Sequence, residues 1–124
     1  MKNILLIDDD INIRTSLSRE LRFHNFHIIP AETGLVAINK LEKQPVDLII
    51  VDIRMPIMGG LEFIKIAAAQ FSHIPIIILS GTVTRDVIET IQPYRNQVID
   101  VIAKPWDPDY LLDIITKATT NYDF

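Results

Sequence analysis

The chain contains no cysteine. That excludes a disulfide framework and thiol catalysis, and it fits a reducing compartment. There is no excess of positive charge: 12 Lys and Arg stand against 16 Asp and Glu, for a formal net charge of -4. Non-specific attraction to the phosphates of nucleic acid is therefore not expected. Only a single lysine and a short apolar stretch precede the first acids, so the start of the chain reads as neither a signal peptide nor a membrane span. No repeat, low-complexity tract or linker interrupts the rest. What remains is a chain of 124 residues, 48% hydrophobic and 23% charged. This suits one globular domain over residues 1–124 with a single core.

The pattern that is present alternates short apolar runs with amphipathic segments. Ile4–Ile7 reads as a strand closed by Asp8-Asp9-Asp10. Ile13, Leu17 and Leu21 then mark one face of a helix, with Asp9 or Asp10 able to cap it. His27–Ile29 reads as a strand stopped by Pro30. Gly34–Lys43 reads as a helix with Leu35, Ile38 and Leu41 inward. Leu48–Val51 is a third strand, running into Asp52 and a loop that holds Pro56 and Gly59-Gly60. Leu61, Ile64, Ala68 and Phe71 mark a third helix, and Ile76–Leu79 a fourth strand that ends at Ser80-Gly81. Val83, Val87 and Ile91 mark a fourth helix, ended near Pro93. Val98–Ala103 is a fifth strand, stopped by Lys104-Pro105. Leu111, Ile114, Ile115 and Ala118 mark a last helix, with Asp107 and Asp109 near its amino end.

Five strands, each followed by a helix, predict an α/β fold. A doubly wound parallel sheet of order 2-1-3-4-5 with helices on both faces is expected. In that order the carboxyl ends of the strands share one edge. They bring Asp8 and Asp9 from strand 1, Asp52 from strand 3, Ser80 from strand 4 and Lys104 from strand 5. Carboxylates about 5 Å apart repel by about 3 kcal/mol per pair at an effective dielectric near 20, so the cluster needs counter-charge. Lys104 is one source and a divalent cation is another. All-oxygen ligation favours magnesium and leaves manganese open. A zinc site is disfavoured, because no histidine or cysteine stands among the strand ends. A metal, a lysine and a hydroxyl around one carboxylate suggest phosphoryl chemistry with that carboxylate as nucleophile. Read alone, each residue also has a plainer role. Asp8 and Asp9 could cap a helix, Ser80 could sit in a turn, and Lys104 could be a solvated loop lysine.

Five features taken together resemble the receiver domain of two-component response regulators. They are Ile-Asp-Asp at 7–9, Asp52 within Asp-x-x-Met-Pro-x-Met-x-Gly, Ser80 after an apolar strand, Lys104-Pro105, and the spacing among them. The resemblance implies a flavodoxin-like fold and a phosphoacceptor module that is not a free-standing enzyme. It promotes only its own phosphorylation and dephosphorylation. By the resemblance, Asp52 accepts a phosphoryl group from a sensor histidine kinase or a histidine phosphotransfer protein. Asp9 and Asp52 bind magnesium, Asp8 acts through a metal-bound water, and the Arg54 carbonyl is a further metal ligand. Lys104 and Ser80 contact the phosphoryl group, and a cis Lys104-Pro105 bond is expected. The implied output is a change of the helix 4–strand 5–helix 5 surface, read by a downstream protein or an effector domain. Direct nucleic-acid binding and membrane contact are not implied, and the implied location is the cytoplasm.

Three features depart from the family pattern or bear on it. Val101 stands where an aromatic switch residue is common, and Gln97-Val98 replace a frequent Gly-Ala. Trp106, after Lys104-Pro105, is expected near the site, shielding its loop. Val101 also keeps open a receiver-like binding module that no longer depends on phosphorylation. Two other classes fit less well. A haloacid-dehalogenase-type phosphatase would want Asp-x-Asp on the first strand and a cap domain. A flavodoxin-like binding module would want a phosphate loop where Asp8-Asp9-Asp10 would repel the ligand.

Overall fold

The computed structural model describes residues 1–53, 59–81 and 83–120. The elements follow in the order β1 (Asn3–Ile7), α1 (Ile11–Phe23), β2 (His27–Ala31), α2 (Gly34–Lys43), β3 (Leu48–Asp52), α3 (Gly60–Gln70), β4 (Ile76–Ser80), α4 (Arg85–Ile91), a 3-10 turn (Gln92–Tyr94), β5 (Val98–Ala103) and α5 (Pro108–Thr120). The strands form one parallel sheet in the order β2-β1-β3-β4-β5. This is the expected doubly wound arrangement.

Side-chain alternation along the strands divides the core in two. Leu5, Ile7, Ile49, Val51, Ile76 and Ile78 face one layer, where Ala37, Leu41, Phe63, Ile64 and Ile91 close over them from α2, α3 and α4. Ile4, Leu6, Leu48, Ile50, Ile77 and Leu79 face the other, against Leu17 and Leu21 of α1 and Leu111 and Ile115 of α5. Strands buried on both faces need continuous apolar runs, and these have them. Helix starts follow local hydrogen bonding. Asp10, Thr33 and Thr84 cap α1, α2 and α4 by accepting from backbone N–H groups within the first turn.

Three local expectations need correction. Pro30 does not stop the second strand, which continues to Ala31. β2 is an edge strand, and an edge tolerates a residue with no N–H on its open side. Leu35 does not face inward: it is 56% exposed, and α2 buries Gly34, Ala37 and Leu41 instead. Val83 lies before the fourth helix, which begins at Arg85, and its side chain is exposed. At the opposite edge, Ile76 pairs with Val98 and Ile77 with Asp100, so Ile99 is an extra residue at a bulge in β5.

Gln97 has a role that its exposed-loop chemistry does not suggest. Its side chain is buried, and Nε2 donates to the carbonyl oxygens of Phe71 and Ile74 at 2.9 Å each. It thereby ties the end of α3 to the entry of β5. Gln97→Ala takes the side-chain donor from the buried Ile74 carbonyl and from the Phe71 carbonyl, which keeps only the Ile74 N–H at 3.1 Å. The expected loss is on the order of 2 kcal/mol, measured as a lower urea midpoint with unchanged far-ultraviolet circular dichroism.

Candidate functional site

Sheet register brings the charged residues together. Ile7 is level with Val51, Asp52 with Leu79, and Ser80 with Ala103. Asp52 and Ser80, the last residues of β3 and β4, and Asp8 and Lys104, the first beyond β1 and β5, therefore share one edge. The Lys104 N–H donates to the Ser80 carbonyl at 2.8 Å, which fastens the ends of β4 and β5.

At that edge the Lys104 ammonium lies 3.0 Å from Asp8 Oδ2 and 3.1 Å from Asp52 Oδ2. Asp8 and Asp52 are buried, while Asp9 is exposed. One carboxylate oxygen from each of Asp8, Asp9 and Asp52 lies within 4.8 Å of the others. Asp8 Oδ1 accepts from the Asp10 N–H at 2.9 Å, which orients the first carboxylate. Among the described residues the cluster holds three carboxylates and no histidine, a donor set suited to a hard divalent cation. The residues present thus fit the expected metal.

Burial pulls the Lys104 pKa down, because a desolvated ammonium is costly. The hydrogen bonds and charges of Asp8 and Asp52 outweigh that pull, and the net shift is upward from the ordinary 10.5.

Ser80 is fully buried at the end of β4, one residue beyond the register partner of Asp52. Next to it Gly81 is exposed, and a Cβ built there would meet nothing within 4 Å among the described residues. Gly60 is the opposite case. A Cβ there would lie 2.5 Å from Ile53 Cα and 2.6 Å from the Asp52 carbonyl oxygen. The Gly60 N–H also donates to the Ile53 carbonyl at 3.1 Å. The start of α3 is thus pressed against the backbone that carries Asp52, and only glycine fits. This gives a steric reason for the final glycine of the Asp-x-x-Met-Pro-x-Met-x-Gly pattern. Arg54, the expected source of a ligating carbonyl, lies outside the described residues.

The Lys104-Pro105 bond is cis, as expected. Trp106 is half-buried against the α1/α5 layer. Val101 points to the other layer and lines a cavity of about 170 Å³ with Ile88, Ile91, Gln92, Arg95 and Val98. Arg14 escaped the sequence reading: its guanidinium donates to the Asp8 carbonyl. The available signal was its place one helical turn past Asp10.

The profile of the response regulator receiver domain matches residues 4–116. The chain belongs to that family. A relative of this receiver domain is the DNA-binding transcriptional regulator NtrC of Proteus hauseri. The two are 32% identical over 120 residues, covering 97% of this chain and 25% of that protein. The receiver domain thus spans about a quarter of that relative's length. Among solved structures, chemotaxis protein CheY4 of Vibrio cholerae superposes with a TM-score of 0.87 at 28% identity, covering 95% of this chain and 98% of that one. The response regulator TrrA of Thermotoga maritima, solved in complex with Mg(2+)-BeF, gives a TM-score of 0.83 at 30% identity, covering 95% and 99%. The family is a signalling module of two-component systems.

Two predictions follow from the geometry. Gly60→Ala must displace backbone rather than a flexible side chain, so a loss of about 1–3 kcal/mol is expected in urea denaturation. The second concerns pH. The Lys104 pKa is raised in the fold, so its pairing contributes fully below 10.5 and is lost as pH climbs through the higher folded value. In chelator-containing buffer, the urea midpoint should fall more steeply above 10.5 for the unaltered chain than for Lys104→Met. Both chains should carry Tyr110→Phe. The Tyr110 hydroxyl is held up by its hydrogen bond to Asp100, and it would otherwise titrate in the same range.

Proposed function

We propose that residues 1–124 act as a single phosphoacceptor domain, with Asp52 taking a phosphoryl group from a sensor histidine kinase or a histidine phosphotransfer protein. The observation that carries this reading is Lys104 bound at 3.0–3.1 Å to two buried carboxylates of different strands. One of these, Asp52, stands at the open end of the central strand. In the transfer an Asp52 oxygen bonds to phosphorus while the donor's P–N bond breaks, and the departing imidazole nitrogen takes up a proton. Attack by water on the resulting acyl phosphate then returns the carboxylate and releases inorganic phosphate. The domain's own groups promote both steps, without free-standing enzyme activity.

Asp8, Asp9, Asp52 and the Arg54 carbonyl would hold magnesium or manganese. When bound, that ion neutralises negative charge around the acceptor. Lys104 does the same from the β5 side, where a fixed cation near a transferring phosphoryl group stabilises its oxygens. The Ser80 hydroxyl is proposed to donate to one of those oxygens. The donor is proposed to approach beside the exposed Gly81. The proposed output is the α4–β5–α5 surface, read by a downstream protein or by an effector domain in a longer chain. Since Val101 cannot swing as an aromatic would, we place the change in the segment after β4 and in α4. Among the described residues no helix is long and apolar enough to cross a membrane. The proposed setting is the cytoplasm, with neither membrane nor nucleic acid as a direct partner.

Incubation with acetyl phosphate and Mg2+ should add the mass of one phosphoryl group to the intact chain. Asp52→Asn should abolish the gain, and Lys104→Ala should reduce it by at least tenfold. A gain that survives Asp52→Asn would move the acceptor elsewhere. No gain in the unaltered chain, from acetyl phosphate or from a phosphorylated histidine phosphotransfer protein, would favour the binding module that works without phosphorylation.

A further inference from the structure

Asp8 is held at every polar atom. Its N–H donates to the Ala31 carbonyl at 3.1 Å. Its Oδ1 accepts from the Asp10 N–H at 2.9 Å and its Oδ2 from Lys104 at 3.0 Å. Its carbonyl accepts from the guanidinium of Arg14. The first three partners belong to the sheet edge or to the site itself. Arg14 alone reaches back from the body of α1, and it is half-buried. It makes no ion pair among the described residues.

The Asp8 peptide is the first beyond β1, so no strand ladder holds its carbonyl. Without Arg14 that peptide loses its anchor, and a rotation there moves the Asp9 and Asp10 backbone, and with it the Asp10 N–H that orients the Asp8 carboxylate. Charge adds to the geometry. The cluster sets three carboxylates against one ammonium, and Arg14 brings a second cation close behind it. An arginine is suited to this place because its guanidinium stays charged throughout the working pH range. Arg14 also lines two clefts beside Pro30 of β2, one with Thr15 and Arg22 and one with Glu32 and Lys40.

We infer that Arg14 is a positioning residue for the acidic cluster. It holds the Asp8 peptide so that the carboxylate faces Lys104 and Asp52, and it thereby sets the affinity for the divalent cation. The cation half of this inference rests on the metal reading above. Positioning of Asp8 does not.

The test compares the unaltered chain with Arg14→Gln and Arg14→Lys. Exchange of the Asp10 amide with water, measured by nuclear magnetic resonance without metal, reports whether the Asp8 carboxylate is in place. Calorimetric titration with Mg2+ reports affinity. In Arg14→Gln, Asp10 exchange should quicken several-fold while the Ile49–Val51 amides keep their protection, and Mg2+ affinity should fall about tenfold. Arg14→Lys can still donate to the carbonyl and should recover part of both. Unchanged Asp10 exchange, or equal loosening of Ile49–Val51, would overturn the positioning role. Unchanged Mg2+ affinity in Arg14→Gln would overturn its effect on the cation. If the unaltered chain binds no Mg2+, the metal reading falls, and Asp10 exchange alone decides for or against Arg14.

Discussion

One ammonium group between two buried carboxylates is the constraint on which the rest depends. Asp8 and Asp52 come from neighbouring parallel strands, and Lys104 comes from the far side of the sheet. At an effective dielectric near 20, two carboxylates about 5 Å apart repel by about 3 kcal/mol. A chain that buries such a pair must deliver a cation to the same point. The sheet does this by register, since β4 and β5 end level with each other and the Lys104 N–H closes on the Ser80 carbonyl. The ion pair and the backbone ladder are therefore one device. A register slip in β5 would take the ammonium away from both acids.

The same arrangement ties the charge at Asp52 to the ends of two further strands. Lys104 has two acidic partners and shares its ammonium between them. Asp52 shares Lys104 with Asp8, and Lys104 is bonded through its backbone to the strand end that carries Ser80. From there the chain leads through Gly81 toward α4. That helix is short, and most of its surface is exposed. Val101, Ile88 and Ile91 leave a cavity between it and β5. A groove thus opens beside α4, whereas the apolar residues of β1 and β3 are fully buried.

Much of this was legible in the residue order because position along a strand is nearly one-dimensional. Where an apolar run stops at a charge, as at Ile7-Asp8 or Val51-Asp52, the backbone alone places that charge at the sheet edge. Lys104, Ser80 and both buried acids are placed in this way, given the strand order that the alternation of strands and helices predicts. The misreadings share a different cause. Pro30 looked like a stop because the sequence does not say which strand lies at an edge. Leu35 looked like core because α2 has several apolar residues, and only the sheet beneath decides which of them face inward. Arg14 and Gln97 act through backbone carbonyls, which every residue carries, so no pattern of side chains marks the partner.

The two rims of the sheet have a consequence for how these molecules meet one another. A bare strand invites a neighbouring chain to continue the ladder, the first step toward fibrous aggregates. On the β2 rim, Pro30 offers no hydrogen to such a neighbour. On the β5 rim, the extra residue at Ile99 breaks the spacing that a neighbour would have to match. Crowded copies of the domain, whether free or repeated along longer chains, therefore meet two interrupted borders, and the sheet is self-limiting at five strands.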